Sequence, residues 1–168
     1  MMRHNVQHDL AEAEALFYKA DKYEEAGSQN EAFEYMLKAA ELGHPSAQAN
    51  LGNYYSWGKG VKKSDEKAAY WYKRASRQGN DTGAFNLAVD KLKAKNLRAA
   101  IFWFEKARSM GSGEAALELS KIYLLRRGGK PKAIDLLQHT QKMKRFEISD
   151  EAKEEALRLL STLLVVPR

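Results

Sequence analysis

The chain's four histidines are its first candidates for metal or proton chemistry. His4 and His8 stand four residues apart, a spacing that on a helix puts both imidazoles on one side, as two ligands of a metal site. No third ligand follows at a matching interval, so the pair reads as a solvated N-terminal segment and no metal is expected. His44 follows a glycine and reads as a turn residue. His139 falls near the C-terminal half of a helix, where positive charge suits the dipole. The chain has no cysteine, which excludes disulfides and thiolate chemistry. No GxSxG or HExxH pattern occurs. Gly58-Lys59-Gly60 could cradle a phosphate, but it reads better as the loop that closes a helix pair. The acidic pairs Glu24-Glu25 and Glu154-Glu155 read as solvated helix faces. No catalytic residue, cofactor site or enzyme activity is expected.

What positions these residues is a phrase repeated along the chain. Ala32, Ala68 and Ala100 correspond, at spacings of 36 and 32 residues, and Ala133 follows. Seven residues later come Ala39, Ala75 and Ala107, and four beyond those come Gly43, Gly79 and Gly111. Tyr35, Trp71 and Trp103 stand between the alanines. Ala at i and i+7 with an aromatic at i+3 makes one apolar helix stripe. The glycine, free to adopt the left-handed conformation, stops the helix. A second element precedes each phrase, with Leu51, Leu87 and Leu119 aligned and a small residue next: Gly52, Ala88, Ser120. That small residue marks a close helix crossing. The spacing predicts helix pairs at 9–26 with 29–42, 45–57 with 65–78, 81–94 with 96–110, and 113–126 with 131–143. Asp65 and Ser149 are expected N-caps. A last helix over about 149–164 carries Ala152, Ala156, Leu159, Leu160 and Leu163 on one face. Its other face is charged, as a terminal cap requires. The fold class expected is all-α, an α/α superhelical solenoid of about four helix-turn-helix repeats plus a C-terminal capping helix. It forms a single domain over 1–168, with repeats near 9–44, 45–80, 81–112 and 113–144.

Composition fits this reading. Mean hydropathy is −0.61 and no run of about 18 apolar residues occurs, so no membrane span is expected. The first eight residues lack the apolar stretch of a signal peptide, and a cytoplasmic location is expected. The net charge of +6 is uneven. Residues 1–44 hold four Lys/Arg against nine Asp/Glu, and residues 45–146 hold 21 against eight. The basic patch Lys91, Lys93, Lys95 and Arg98 belongs to this middle region and points to an acidic partner or to a solvated face. Trp71, Tyr72, Phe102, Trp103 and Phe104 recur with the alanines and are expected in the core rather than stacking on bases. Trp57 could serve core or partner equally.

The second repeat resembles a Sel1-like repeat. The matching residues are Ala47, Leu51, Gly52, Tyr55, Gly58, Gly60, Val61, Asp65, Lys67-Ala68, Trp71-Tyr72, Ala75 and Gly79, with the loop Trp57-Gly58-Lys59-Gly60-Val61 as the distinctive part. The first repeat and the length of the third resemble tetratricopeptide repeats, and the fourth is degenerate. The resemblance covers roughly residues 13–143. It implies a helical solenoid that acts as an adaptor or scaffold for proteins, without enzyme chemistry or cofactor. It also implies that the inner-helix positions beside the aligned leucines line a concave groove. Those positions are Tyr18, Asp21, Asn50, Asn53, Asn86 and Lys121, with Trp57 at the end of an inner helix. Asn offers both donor and acceptor, so Asn50 and Asn86 could grip a peptide backbone or brace the repeats against one another.

The expected function is therefore a protein–protein interaction module whose partner is a protein or extended peptide, with an acidic segment admitted by the charge. A bacterial immunity or inhibitor protein is an alternative within that class. A nucleic-acid binder using the basic centre is the alternative from another class, and the less favoured one.

Overall fold

The computed structural model describes residues 6–144 and 147–164. Among them are nine helices and no strand: α1 (Val6–Glu25), α2 (Gln29–Glu41), α3 (Pro45–Trp57), α4 (Asp65–Arg77), α5 (Asp81–Lys93), α6 (Leu97–Ser109), α7 (Gly113–Leu124), α8 (Lys130–Lys142) and α9 (Asp150–Leu164). The chain divides into two compact units between Leu87 and Ala88.

In the first unit α1 packs on α2, α2 on α3 and α3 on α4. The repeated alanines are its core: Ala32, Ala39, Ala68 and Ala75 are buried, with Leu51, Trp71 and Tyr72. Alanine lets the helices approach, and Gly52 lets them approach further. A Cβ there would stand 2.4 Å from the Tyr72 ring. Gly60 makes a comparable approach in the α3–α4 loop, where a Cβ would stand 2.4 Å from the Gln29 carbonyl oxygen. The Gly58-Lys59-Gly60 segment thus folds onto the start of α2, as a loop that closes a helix pair does. A polar brace runs through the same unit. The fully buried Gln48 donates to the Ala40 carbonyl at 3.0 Å and accepts from Gln78 at 2.7 Å.

In the second unit α6 packs on α7, α7 on α8, and α9 on both α7 and α8. Leu117, Leu137, Ala156 and Leu160 form one buried cluster, and Ala152, Leu159 and Leu163 pack against it. The apolar stripe read on the last helix is thus the face that closes this unit, with Glu151, Glu154 and Arg158 exposed opposite.

The same turn ends the first, second and third repeats. Gly43, Gly79 and Gly111 have φ of 98°, 84° and 105°. The N–H of the following residue bonds back to Ala39, Ala75 or Ala107 at 3.1 Å. That following residue then caps the next helix. His44 Nδ1 accepts from the Ala47 N–H, Asn80 Oδ1 from Gly83 and Ser112 Oγ from Ala115. His44 is therefore more than a turn residue: its Nε2 also donates to Glu14 at 2.7 Å, and its ring stacks on Phe17.

Two expectations require correction. Ser64, not Asp65, caps α4, because its hydroxyl accepts from the Lys67 N–H while Asp65 is already the first helical residue. Phe102 is not core but 62% exposed. Ala100, Phe104 and Ala107 bury one face of α6, and Phe102 lies two residues from the nearest of them, about 200° around the helix. Trp103 is half-buried at the edge of that face.

Candidate partner-binding face

The inner-helix positions fall on α1, α3 and α5 in the first unit and on α7 in the second. Within the first unit, Glu24 of α1, Asn50, Asn53, Tyr54 and Trp57 of α3, and Lys59 of the following loop line a cavity of about 90 Å³. Trp57 is 69% exposed beside it, so its indole belongs to the surface and not to the core. Tyr18 is exposed on α1, and Asp21 is half-buried one turn before Glu24. Burial, and then the charges of Glu24 and Glu25, hold the Asp21 carboxyl above its ordinary range.

The three asparagines differ in what they have left to offer. Asn53 Oδ1 accepts twice, from the Tyr72 hydroxyl at 2.7 Å and from Asn86 Nδ2 at 2.8 Å. That carbonyl is spent on bracing α3 against α4 and α5. The Asn53 amide NH2 and the Asn86 carbonyl oxygen remain. The Asn50 side chain, lining the cavity, makes no hydrogen bond with a described residue. A row of amides with unspent donors and acceptors can pair with a peptide backbone.

Glu24 anchors the floor. It accepts from the Tyr54 hydroxyl at 2.6 Å and pairs with Lys59. Burial pushes its carboxyl up, but the bonds from Lys59 and Tyr54 and the charge of Lys59 outweigh this and leave it below the ordinary carboxylate range. The Tyr54 hydroxyl is pushed well above its ordinary range, first by burial and then by the carboxylate it serves. Glu24 is therefore no idle member of a solvated pair. Neither it nor Lys59 is singled out by spacing, since 35 residues separate them. The faint signal is that Glu24 lies one turn beyond Asp21 on the same face of α1.

In the second unit Lys121 pairs with Glu118 at 2.8 Å and with Glu155 of α9 at 2.9 Å. The basic patch lies at the end of α5 and the start of α6. Lys93, Lys95 and Arg98 are exposed and Lys91 is half-buried. None of the four forms an ion pair with a described residue. His4 and the His8 side chain lie outside the described residues. Among the described residues no group of three or more His, Cys, Asp or Glu is placed to hold a metal ion, and no helix is long and apolar enough to cross a membrane.

This architecture, paired helices with an alanine core and a glycine stop at each repeat boundary, is an all-α helical repeat solenoid. The Sel1 repeat matches residues 23–44, 45–80 and 83–112, together just over half of the chain, and the chain belongs to the Sel1 repeat family. An exopolysaccharide production negative regulator of Rhizobium meliloti is 30% identical over 68% of this chain and 50% of its own length. Its counterpart in Rhizobium leguminosarum is 29% identical over 68% and 49%. A chitin synthase regulator of Saccharomyces cerevisiae is 40% identical over 40% of this chain but 9% of its own length. The chain thus spans at most about half the length of these curated relatives. Among solved structures, a Sel1 repeat protein from Oxalobacter formigenes aligns with a TM-score of 0.75 at 22% identity, over 89% of this chain and 62% of that one. A protective antigen of uropathogenic Escherichia coli with the SLR fold aligns with a TM-score of 0.78 at 24% identity, over 91% and 33%. Sel1 repeat proteins are generally protein-interaction scaffolds, and the family is typically non-enzymatic.

Proposed function

We propose that the chain is a non-enzymatic scaffold that takes an extended segment of a partner protein along the face bearing Asn50, Asn53 and Asn86. The observation that carries this is the state of the three amides. They stand on neighbouring elements of one unit, and each keeps hydrogen-bonding capacity that the fold does not use. Trp57 and Tyr18 add exposed aromatic surface, the kind of side chain enriched where partners are held. The named bacterial and yeast relatives are regulators, and a regulator that works by holding another protein needs a face of this type rather than an active site.

A displayed library of extended peptides tests this reading. The peptide that binds best should lose about tenfold or more in affinity, equivalent to about 1.4 kcal/mol, when Asn50→Ala and Asn86→Ala are combined. The helical circular-dichroism signal should not change, and Asn50→Ala alone should already weaken binding because the Asn50 amide forms no hydrogen bond with a described residue. Equal affinity for the unmodified and doubly substituted proteins would overturn the proposal.

A further inference from the structure

We propose that the second unit carries a separate docking surface, a cleft built for an acidic partner segment with an apolar anchor. The cleft, of about 430 Å³, is lined by Leu97, Arg98 and Ile101 of α6 and by Arg126 just beyond α7. Its walls are aliphatic and it carries two guanidinium groups. Leu125, next to Arg126, is 90% exposed, and Leu97 is 42% exposed. A single exposed leucine is ordinary. An exposed leucine in the wall of a concavity that also holds two arginines matches the composition of a recognition site.

The charge around the cleft selects the occupant. Residues 91–104 and 119–134 contain no acidic side chain, so the stretches that supply its walls are basic throughout. The one acid that follows on α6, Glu105, already pairs with Arg108 at 2.8 Å and with Lys132 at 3.3 Å. Its charge is not available to Arg98 or Arg126. Neither Arg98 nor Arg126 has an ion pair with a described residue, and the Arg126 guanidinium lies 6.0 Å from the Tyr123 ring. Two uncompensated guanidinium groups present forked donors of the shape that carboxylates accept in pairs. Lys95 and Arg127, exposed in the turns on either side, extend the positive field and would speed the approach of an acidic partner.

A protein segment fits better than the other polyanions. Single-stranded nucleic acid is held by aromatic platforms on which bases stack, and the cleft's walls are leucine and isoleucine. A bilayer surface takes a broad apolar face, whereas here two aliphatic side chains share a cleft with two arginines. Glutamate or aspartate side chains flanking a leucine match both the charge and the recess. This surface stands independently of the asparagine face, and its occupant can be tested separately.

The probe is a fluorescent peptide with leucines on one side and glutamates on the other. Its affinity for the full chain should fall at least tenfold with Arg98→Glu combined with Arg126→Glu, and several-fold with Leu97→Ser. Asn50→Ala with Asn86→Ala should leave it unchanged. A version of the peptide with serine for leucine should also bind weakly, since charge alone does not fill the cleft. On the unmodified protein, a photo-crosslinking leucine in the peptide should label residues 97–101 or 125–126, so the result does not depend on the variants folding. Labelling within residues 18–57, or equal binding of the serine peptide, would overturn the proposal. So would binding of poly-dT with a log-log salt slope of about −0.9 per neutralised phosphate, or of phosphatidylserine vesicles, in preference to the peptide.

Discussion

At Gly52 one added methyl group would stand 2.4 Å from both Cδ1 and Cε1 of Tyr72. The ring is buried and its hydroxyl is held by Asn53, so it has little room to swing away. Gly52→Ala should therefore cost about 1–3 kcal/mol, the range for forcing extra volume into a packed core. Urea unfolding followed by circular dichroism measures it, and a midpoint equal to that of the parent would show that the crossing is looser than the structure has it. The small residue after each aligned leucine was legible in the sequence, because close approach demands a small side chain whatever lies opposite. The cavity floor was not. Glu24, Tyr54 and Lys59 meet only after the first two helix pairs have packed through α2 and α3, and nothing local in Glu24-Glu25 tells the bonded carboxylate from its solvated neighbour. The asparagines fall between these cases. Their matching places on successive inner helices were visible, but the bond from Asn86 to Asn53, rather than to Asn50, depends on the register between α3 and α5.

At the scale of elements, the repeat boundaries were the most readable part of the chain. Glycine past the second alanine announces a left-handed residue, and the structure has one at Gly43, Gly79 and Gly111. The turn inside the third repeat does the same without glycine. Lys95 has φ of 58°, Asn96 bonds back to the Lys91 carbonyl at 2.9 Å, and the Asn96 side chain caps α6. A left-handed residue with a Cβ carries a penalty of about 1–2 kcal/mol. Glycine's greater freedom in the unfolded chain gives part of that back. Lys95→Gly should accordingly stabilise the protein by about 0.5–1 kcal/mol, read as a higher thermal midpoint. A lower midpoint would mean that the Lys95 stem contributes packing the backbone argument omits. Helix ends without a glycine were harder to read. Ser64 and Asp65 are both good caps, and only the extended backbone at Ser64 decides between them. The run Phe102-Trp103-Phe104 misled for a related reason. Three adjacent aromatics cannot share one helix face, and composition does not say which of them turns outward.

For the whole molecule, repeat construction means that stability is mostly a matter between neighbours in the chain. Phe104 is the largest fully buried side chain among the described residues, and Phe104→Ala should cost about 3–5 kcal/mol. Phe102→Ala, two residues away on the exposed side, should fall within about 0.5 kcal/mol of the parent. Hydrogen exchange gives the sharper reading. Protection lost in Phe104→Ala should concentrate in α6, α7 and α8 and spare α1 and α2, and uniform loss along the chain would contradict the neighbour-by-neighbour account. The doubly engaged carbonyl of Asn53 has a different consequence. Because that oxygen is taken, α3 shows a donor at this position, while Asn86 on α5 shows an acceptor. The face is thus not symmetric under reversal. Under the binding proposed above, a polypeptide laid across it N to C and the same polypeptide laid C to N would meet these two groups in opposite order, so the proposed face would hold one direction in preference to the other.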